Sequence, residues 1–244
     1  MTWANRLRLL VGLIVVAAVA LGATLVLSQR ETQVASRTAS IKALTYTVGS
    51  DYAGTVISAK VAEGDTVTKG EPLLTIQSAT ALADLKSKQG VSKSLGYRVS
   101  STGVVTLLAT QPGVVSRLST DVGSFVGAGV PVATIDRANS LYVLADFKLD
   151  PYDFSRIAKG ATVDLVLPNQ QLLEGTVTDI SSVTTTAGRA DATIKVKSSA
   201  LVRGRDNGLV VPGTPINATL HLRDDGPLAG IKLSMVTLLR QIGL

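Results

Sequence analysis

The chain has 244 residues, 24 lysines and arginines against 18 aspartates and glutamates, a net charge of +6 and no cysteine. That length holds one or two small domains, and the absence of thiols excludes a disulfide framework and any thiolate metal site. The basic residues are interspersed; their densest cluster, Lys86, Lys88 and Lys93, lacks the interleaved aromatics of a single-strand binder, so nucleic acid is not an indicated partner.

Residues 1–8 carry Arg6 and Arg8, and residues 9–27, LLVGLIVVAAVALGATLVL, follow without a charge. At 1.5 Å rise per residue this run would reach about 28 Å, close to the hydrocarbon thickness of a bilayer. Only Arg30 lies just beyond it, so the positive-inside bias predicts a single-pass anchor with a cytoplasmic N-terminus and an extracytoplasmic remainder. A cleaved signal peptide is the competing reading, because Ala18-Val19-Ala20 resembles a small-residue cleavage site. Residues 28–44 are small and polar and read as a linker.

From residue 45 to residue 78 the alternation is strand-like. Within it Gly54 to Ile76, GTVISAKVAEGDTVTKGEPLLTI, is matched without gaps 59 positions on by Gly113 to Ile135, GVVSRLSTDVGSFVGAGVPVATI. Eight of the 23 positions are identical: Gly54/Gly113, Val56/Val115, Gly64/Gly123, Val67/Val126, Gly70/Gly129, Pro72/Pro131, Thr75/Thr134 and Ile76/Ile135. The glycines read as punctuation between short strands and the valines and isoleucines as their apolar positions. An internal repeat of this kind means two similar supersecondary units, each too small to bury a core alone, that pack on each other. Between them, residues 79–103 read as a short hairpin insertion: a helix over ATALADLKSKQ with a narrow stripe of Ala81, Leu82 and Leu85, then a β hairpin around Ser101–Gly103. The second half spans residues 104–137.

Past Asp136 the period changes. Leu141 to Leu149 reads as a strand, Asp150-Pro151 as an N-cap and first helical position. The segments ATVDLVL, LLEGTVTDI, ATIKVKSS and PINATLHL complete a small antiparallel barrel over residues 138–225. Asp224-Asp225-Gly226 reads as a turn. Residues 226–244 have Ile231, Met235, Leu238 and Leu239 at helical spacing and are expected to form an amphipathic helix. His221 is the only histidine and reads as a surface or half-buried strand residue. Gly123, Gly127 and Gly129 read as strand turns, because the helix a phosphate loop requires does not follow them. With one histidine, no cysteine and no clustered carboxylates, no catalytic, cofactor-binding or metal-binding residue is assigned, and the chain reads as a non-enzyme.

The run Gly64-Asp65-Thr66-Val67-Thr68-Lys69-Gly70-Glu71-Pro72-Leu73-Leu74-Thr75-Ile76 resembles the G-D-x-V-x-x-G-x-P-L-x-x-I signature of biotinyl/lipoyl domains. In carriers of that family a modified lysine follows on a turn; here the matching position is Thr80, and Lys86 and Lys88 are displaced into the expected helix. Sandwich halves split by an insertion, preceded by an anchor and followed by a barrel, resemble the HlyD-type membrane fusion proteins, the periplasmic adaptors of bacterial export systems. The stretch from Leu108 to Ile135, the stretch from Ala158 to Ser181 (KGATV, then LLEGTVTDIS), and Val211-Pro212-Gly213-Thr214-Pro215-Ile216 resemble that family's motifs in order and spacing.

The resemblance implies a mainly β fold with a barrel-sandwich hybrid, and a non-catalytic adaptor coupled to an integral membrane permease, ABC-type or proton-driven. It also implies a homo-oligomer and no cofactor. The short insertion implies a version without a tall hairpin. A stand-alone envelope binding module, for cell-wall polymer or a signalling partner, and a biotin or lipoyl carrier are the alternatives. The exposed turn bearing Asp153, Arg156 and Lys159 offers guesses at permease contacts and no assigned sites.

Overall fold

The computed structural model describes residues 32–87, 95–186 and 189–223, together with the isolated Gly12. The expected anchor at 9–27 and the expected C-terminal helix at 226–244 lie outside the described residues. Among the described residues no helix is long and apolar enough to cross a membrane. Two compact units result. One is Lys42–Leu141; the other joins the chain up to Ile41 to the chain from Tyr142 onward.

Residues 28–44 are not simply a linker, because β1 (Gln33–Ala35) and β2 (Thr38–Lys42) lie within them. Polar residues face outward there while Ala39 and Ile41 are buried, so a segment of linker-like composition still has an inward face.

The Lys42–Leu141 unit contains β3 (Thr45–Gly49), β4 (Gly54–Ala59), β5 (Thr66–Val67), β6 (Pro72–Gln77), α1 (Ala79–Lys86), β7 (Tyr97–Val99), β8 (Val104–Leu108), β9 (Gly113–Leu118), β10 (Phe125–Val126) and β11 (Pro131–Arg137). They form a five-stranded sheet, β10-β4-β6-β8-β7, and a four-stranded sheet, β3-β11-β9-β5. The 59-residue offset relates β4 to β9, β5 to β10 and β6 to β11, and it extends back to relate β3 to β8.

The two repeats exchange strands reciprocally. Val67 of β5 pairs with Gly113 of β9, and Val126 of β10 pairs with Gly54 of β4. Likewise Ile76 of β6 pairs with Val105 of β8, and Ile135 of β11 with Tyr46 of β3. Each repeat therefore completes the other's sheet, which is why neither can bury a core alone.

The repeated apolar positions, Val56/Val115, Val67/Val126 and Ile76/Ile135, are all buried; each contributes roughly 1.5–3 kcal/mol of burial. Leu73 and Leu74 are both buried although adjacent, as are Val132 and Ala133. Register shifts at Pro72/Leu74 and Pro131/Ala133 account for this, since a bulge turns two neighbouring side chains to one face.

The shared glycines do two different jobs. Gly64 and Gly123 are turn residues at φ +94° and +91°, with nothing within 4 Å of an added Cβ. Gly54 and Gly113 are not punctuation: they begin strands where the partner backbone passes, and a Cβ would meet the carbonyl oxygens of Gln77 at 2.2 Å and Asp136 at 2.3 Å.

The remaining unit adds β12 (Tyr142–Leu149), α2 (Pro151–Ser155), β13 (Thr162–Val166), β14 (Leu172–Thr186), β15 (Arg189–Lys197), the single turn α3 (Arg205–Gly208) and β16 (Asn217–His221). Its sheet runs β1-β16-β13-β14-β15-β12-β2. Period-two burial of Val143, Ala145, Phe147 and Leu149 on β12 and of Ala190, Ala192, Ile194 and Val196 on β15 aims one face inward. Strands β1 and β2 are consecutive and lie between β16 and β12. Ile216 N donates to Ala39 O, Ile41 N to Thr214 O, and Arg37 N to Asp146 O, so the sheet closes into a small antiparallel barrel.

Candidate assembly surfaces

His221 lies on β16, half-buried, with Nε2 2.7 Å from Asp164 Oδ2 on the neighbouring strand β13. Glu174 on β14 stands directly opposite Asp164 in register, yet among the described residues no group of three or more His, Cys, Asp or Glu is arranged to hold a metal ion. The arrangement is an ion-pair-like brace across β13 and β16.

Thr80, at the position of a carrier lysine, does not sit at the tip of a strand turn. It is in the first turn of α1, exposed, with its Oγ1 2.9 Å from Ser78 Oγ. Ser78 is fully buried and caps the helix: its hydroxyl donates to Ala53 O at 2.6 Å and accepts from Ala81 N at 3.3 Å. Of the expected stripe, Ala81 is the buried residue, while Leu82 and Leu85 are half-buried. Gly103, at φ +77°, passes so close to α1 that a Cβ would lie 2.7 Å from Leu82 Cβ. It also accepts a hydrogen bond at its carbonyl from Ser78 N at 3.0 Å. The base of the insertion is thus clamped at both chain crossings.

On the turn after β12, Asp150 takes the N-cap position of α2 but makes no side-chain capping bond. Arg156 departs from the expectation of an exposed contact residue: it is 6% exposed. Its Nε donates to Arg223 O at 2.8 Å, its Nη1 lies 3.5 Å from Asp153 Oδ1, and its guanidinium stacks 5.4 Å from the Tyr152 ring centroid. Arg223 N returns a bond to Arg156 O at 3.1 Å. Arg156 is therefore a clasp holding the chain beyond β16 to α2, and Tyr152, 64% exposed, is the outward residue of that turn.

A groove of about 310 Å³ on the barrel unit is lined by Arg37, Thr38, Asp146, Asp191 and Thr193 over Phe147 and Ala192. Thr38 Oγ1 donates to Asp146 Oδ2 at 2.8 Å and Thr193 Oγ1 to Oδ1 at 2.7 Å, which fixes the carboxylate in orientation. Sequence reasoning missed this groove, because Thr38 falls in the expected linker and Asp146 and Thr193 come from strands far apart in the chain. The outward phase of Asp146 on β12 was the available signal.

No family model and no curated protein sequence matches the chain. Solved structures do. ZneB from Cupriavidus metallidurans is similar over 79% of this chain and 99% of its own, with a TM-score of 0.56 at 14% identity. A chimera of MacA and MexA carrying the Pseudomonas aeruginosa MexA α-hairpin domain is similar over 79% of this chain and 83% of its own (TM-score 0.57, 16% identity). MacA from Actinobacillus actinomycetemcomitans is similar over 79% of each chain (TM-score 0.54, 14% identity). The fold is that of the HlyD-type membrane fusion proteins. At these identities the likeness is one of fold. Among the described residues of the insertion, the helix α1 has eight residues, Ala79–Lys86, capped by Ser87, about 12 Å of helix at 1.5 Å per residue.

Proposed function

We propose that the chain is a non-catalytic, membrane-anchored adaptor subunit of a bacterial export system, with its β units outside the cytoplasmic membrane and an integral permease as its partner. The observation that carries this reading is the architecture as a whole: a strand-exchanged sandwich, split by a short insertion and set in chain order between the strands of one closed barrel. The likeness to adaptor structures over 79% of the chain supports it, and the uncharged run at 9–27 supports the anchor. The eight-residue α1 favours a short hairpin with no reach to a distant outer-membrane duct. The helical setting of Thr80 removes the motive for a carrier.

The test is in-cell crosslinking of the tagged full-length protein, detergent extraction and mass spectrometry of what co-purifies. A multi-span permease should be enriched, and the enrichment should be lost on deleting the β units while surviving exchange of residues 1–31 for another anchor. Recovery of cell-wall material alone would favour the stand-alone envelope module.

A further inference from the structure

The first and last strands of the barrel unit meet at one corner. β1 and β16 are antiparallel, with Gln33 opposite His221, and Leu222 N donates to Thr32 O at 2.8 Å. The strand that leads away from residues 9–27 is therefore the immediate neighbour of the strand that leads to residues 226–244. Because the two run in opposite directions, β16 is directed at the end of the barrel by which the chain enters. The exit is fixed as well: Arg156 Nε donates to Arg223 O at 2.8 Å, and Arg223 N to Arg156 O at 3.1 Å. Tyr152, its ring 5.4 Å from that guanidinium and 64% exposed, stands at the same corner.

The reach of the chain turns this corner into a distance from the bilayer. Five residue steps separate Leu27, the last of the uncharged run, from Thr32, at most about 18 Å when fully extended. Six steps separate Leu222 from Leu228, with a reach of about 21 Å. A chain anchored at 9–27 thus delivers residues 226–244 to the lipid surface with every strand of the barrel in place.

The composition of that segment suits the delivery. Residues 226–244 hold Lys232 and Arg240 and no aspartate or glutamate. Ile231, Met235, Leu238, Leu239 and Ile242 recur at helical spacing, with Ser234, Thr237 and Gln241 off that stripe. A spanning helix would carry both charges into hydrocarbon, whereas a helix lying in the headgroup layer keeps them in water. Tyrosine is enriched at the same depth, which accounts for an aromatic ring left exposed at Tyr152. The barrel itself offers the stripe little cover: among the described residues of its unit, the large apolar side chains left exposed are Tyr152, Leu172 and Val202.

We propose that residues 226–244 lie along the lipid surface beside the anchor, with Ile231, Met235, Leu238, Leu239 and Ile242 at the acyl boundary and Lys232 and Arg240 against anionic headgroups. A single anchor sets the barrel's place but not its tilt; a second hold at the same corner fixes one edge of the barrel to the bilayer. The inference rests on the anchored reading and involves neither permease nor cargo.

The natural chain has no cysteine, so a nitroxide on one introduced thiol reports without background. Met235→Cys and Thr237→Cys, on opposite faces of a helix, and Ala18→Cys in the anchor would each be made in the full-length protein. Each would be reconstituted in vesicles of phosphatidylethanolamine and phosphatidylglycerol. Collision with oxygen, which concentrates in hydrocarbon, is compared with collision with a water-soluble nickel chelate. The oxygen-to-nickel ratio should be about tenfold higher at Met235→Cys than at Thr237→Cys, as for a face sunk about 5–10 Å into the interface. Adding Leu239→Asp should bring the Met235→Cys ratio down to that of Thr237→Cys without changing the thermal melt. Equal ratios at the two positions, or a Met235→Cys label shielded from both agents as in a protein core, would overturn the proposal. Ala18→Cys in hydrocarbon with Met235→Cys in water overturns this inference alone. Ala18→Cys in water overturns the anchored reading and this inference with it.

Discussion

Gly54 and Gly113 show how much one missing methyl can decide. A side chain there would press on the backbone of a strand that cannot retreat without breaking its ladder. Gly54→Ala and Gly113→Ala should each lower stability by at least about 1–3 kcal/mol, as overpacking does. The two losses should be alike because the contacts are alike. Gly64→Val, by contrast, has room and fails through backbone strain, at about 1–3 kcal/mol. Chemical denaturation of the three variants tests this, and a stable Gly54→Ala would remove the close-approach argument. Tyr97 offers a pH signature. It is buried against Tyr52, ring to ring at 5.9 Å and 88°, and burial first, then the charge of Asp51, raises its phenol above the usual 10. The unfolded chain therefore releases this proton first as pH rises. The stabilisation is complete below pH about 10 and is lost progressively above it. Melts between pH 8 and 11 should fall more steeply for the natural protein than for Tyr97→Phe; parallel curves would contradict the assignment.

Elements, more than residues, separate what could be read from the sequence from what could not. The hairpin of β7 and β8 around Ser101–Gly103, the strand β12 and the buried valines of the repeat were legible, because local alternation and turn glycines determine them. The bulges that bury Leu73 beside Leu74 were not, since nothing local distinguishes a bulge from a continuing strand. Strands β1 and β2 were hidden for a different reason: only Ala39 and Ile41 of β2 face fully inward, and β16, which completes them, lies at the other end of the chain. The burial of Arg156 was equally beyond reach, because a lone arginine after a turn reads as exposed. Its clasp on Arg223 joins α2 to the strand β16. Arg156→Ala should cost about 1.5–3 kcal/mol, the worth of a charged buried hydrogen bond. Arg156→Lys should recover only part, lacking the planar group that stacks on Tyr152. Thermal melts of both variants measure this, and equal stability of Arg156→Ala and the natural protein would sink the clasp.

For the molecule as a whole, the division of the barrel between the two ends of the chain is the dominant fact. A fragment starting at Tyr142 lacks β1 and β2 and leaves β16 and β12 with bare edges. It should show no cooperative melt, and restoring residues 32–41, even as a separate peptide, should recover one. Lys42–Leu141 should fold without either. The same division governs timing. A chain synthesised from its N-terminus presents β1 and β2 first and their partner β16 last, whereas every strand of the sandwich finds its neighbours within the span Lys42–Leu141. Contacts such as that between Gln33 and His221 join residues far apart in the chain and form slowly, and until then the waiting edges are exposed to other chains. The barrel thus acts as a checkpoint: a product terminated before β16 can carry a finished sandwich, but it cannot close the ring of strands, and any partner that recognises the closed barrel receives only copies that extend through β16.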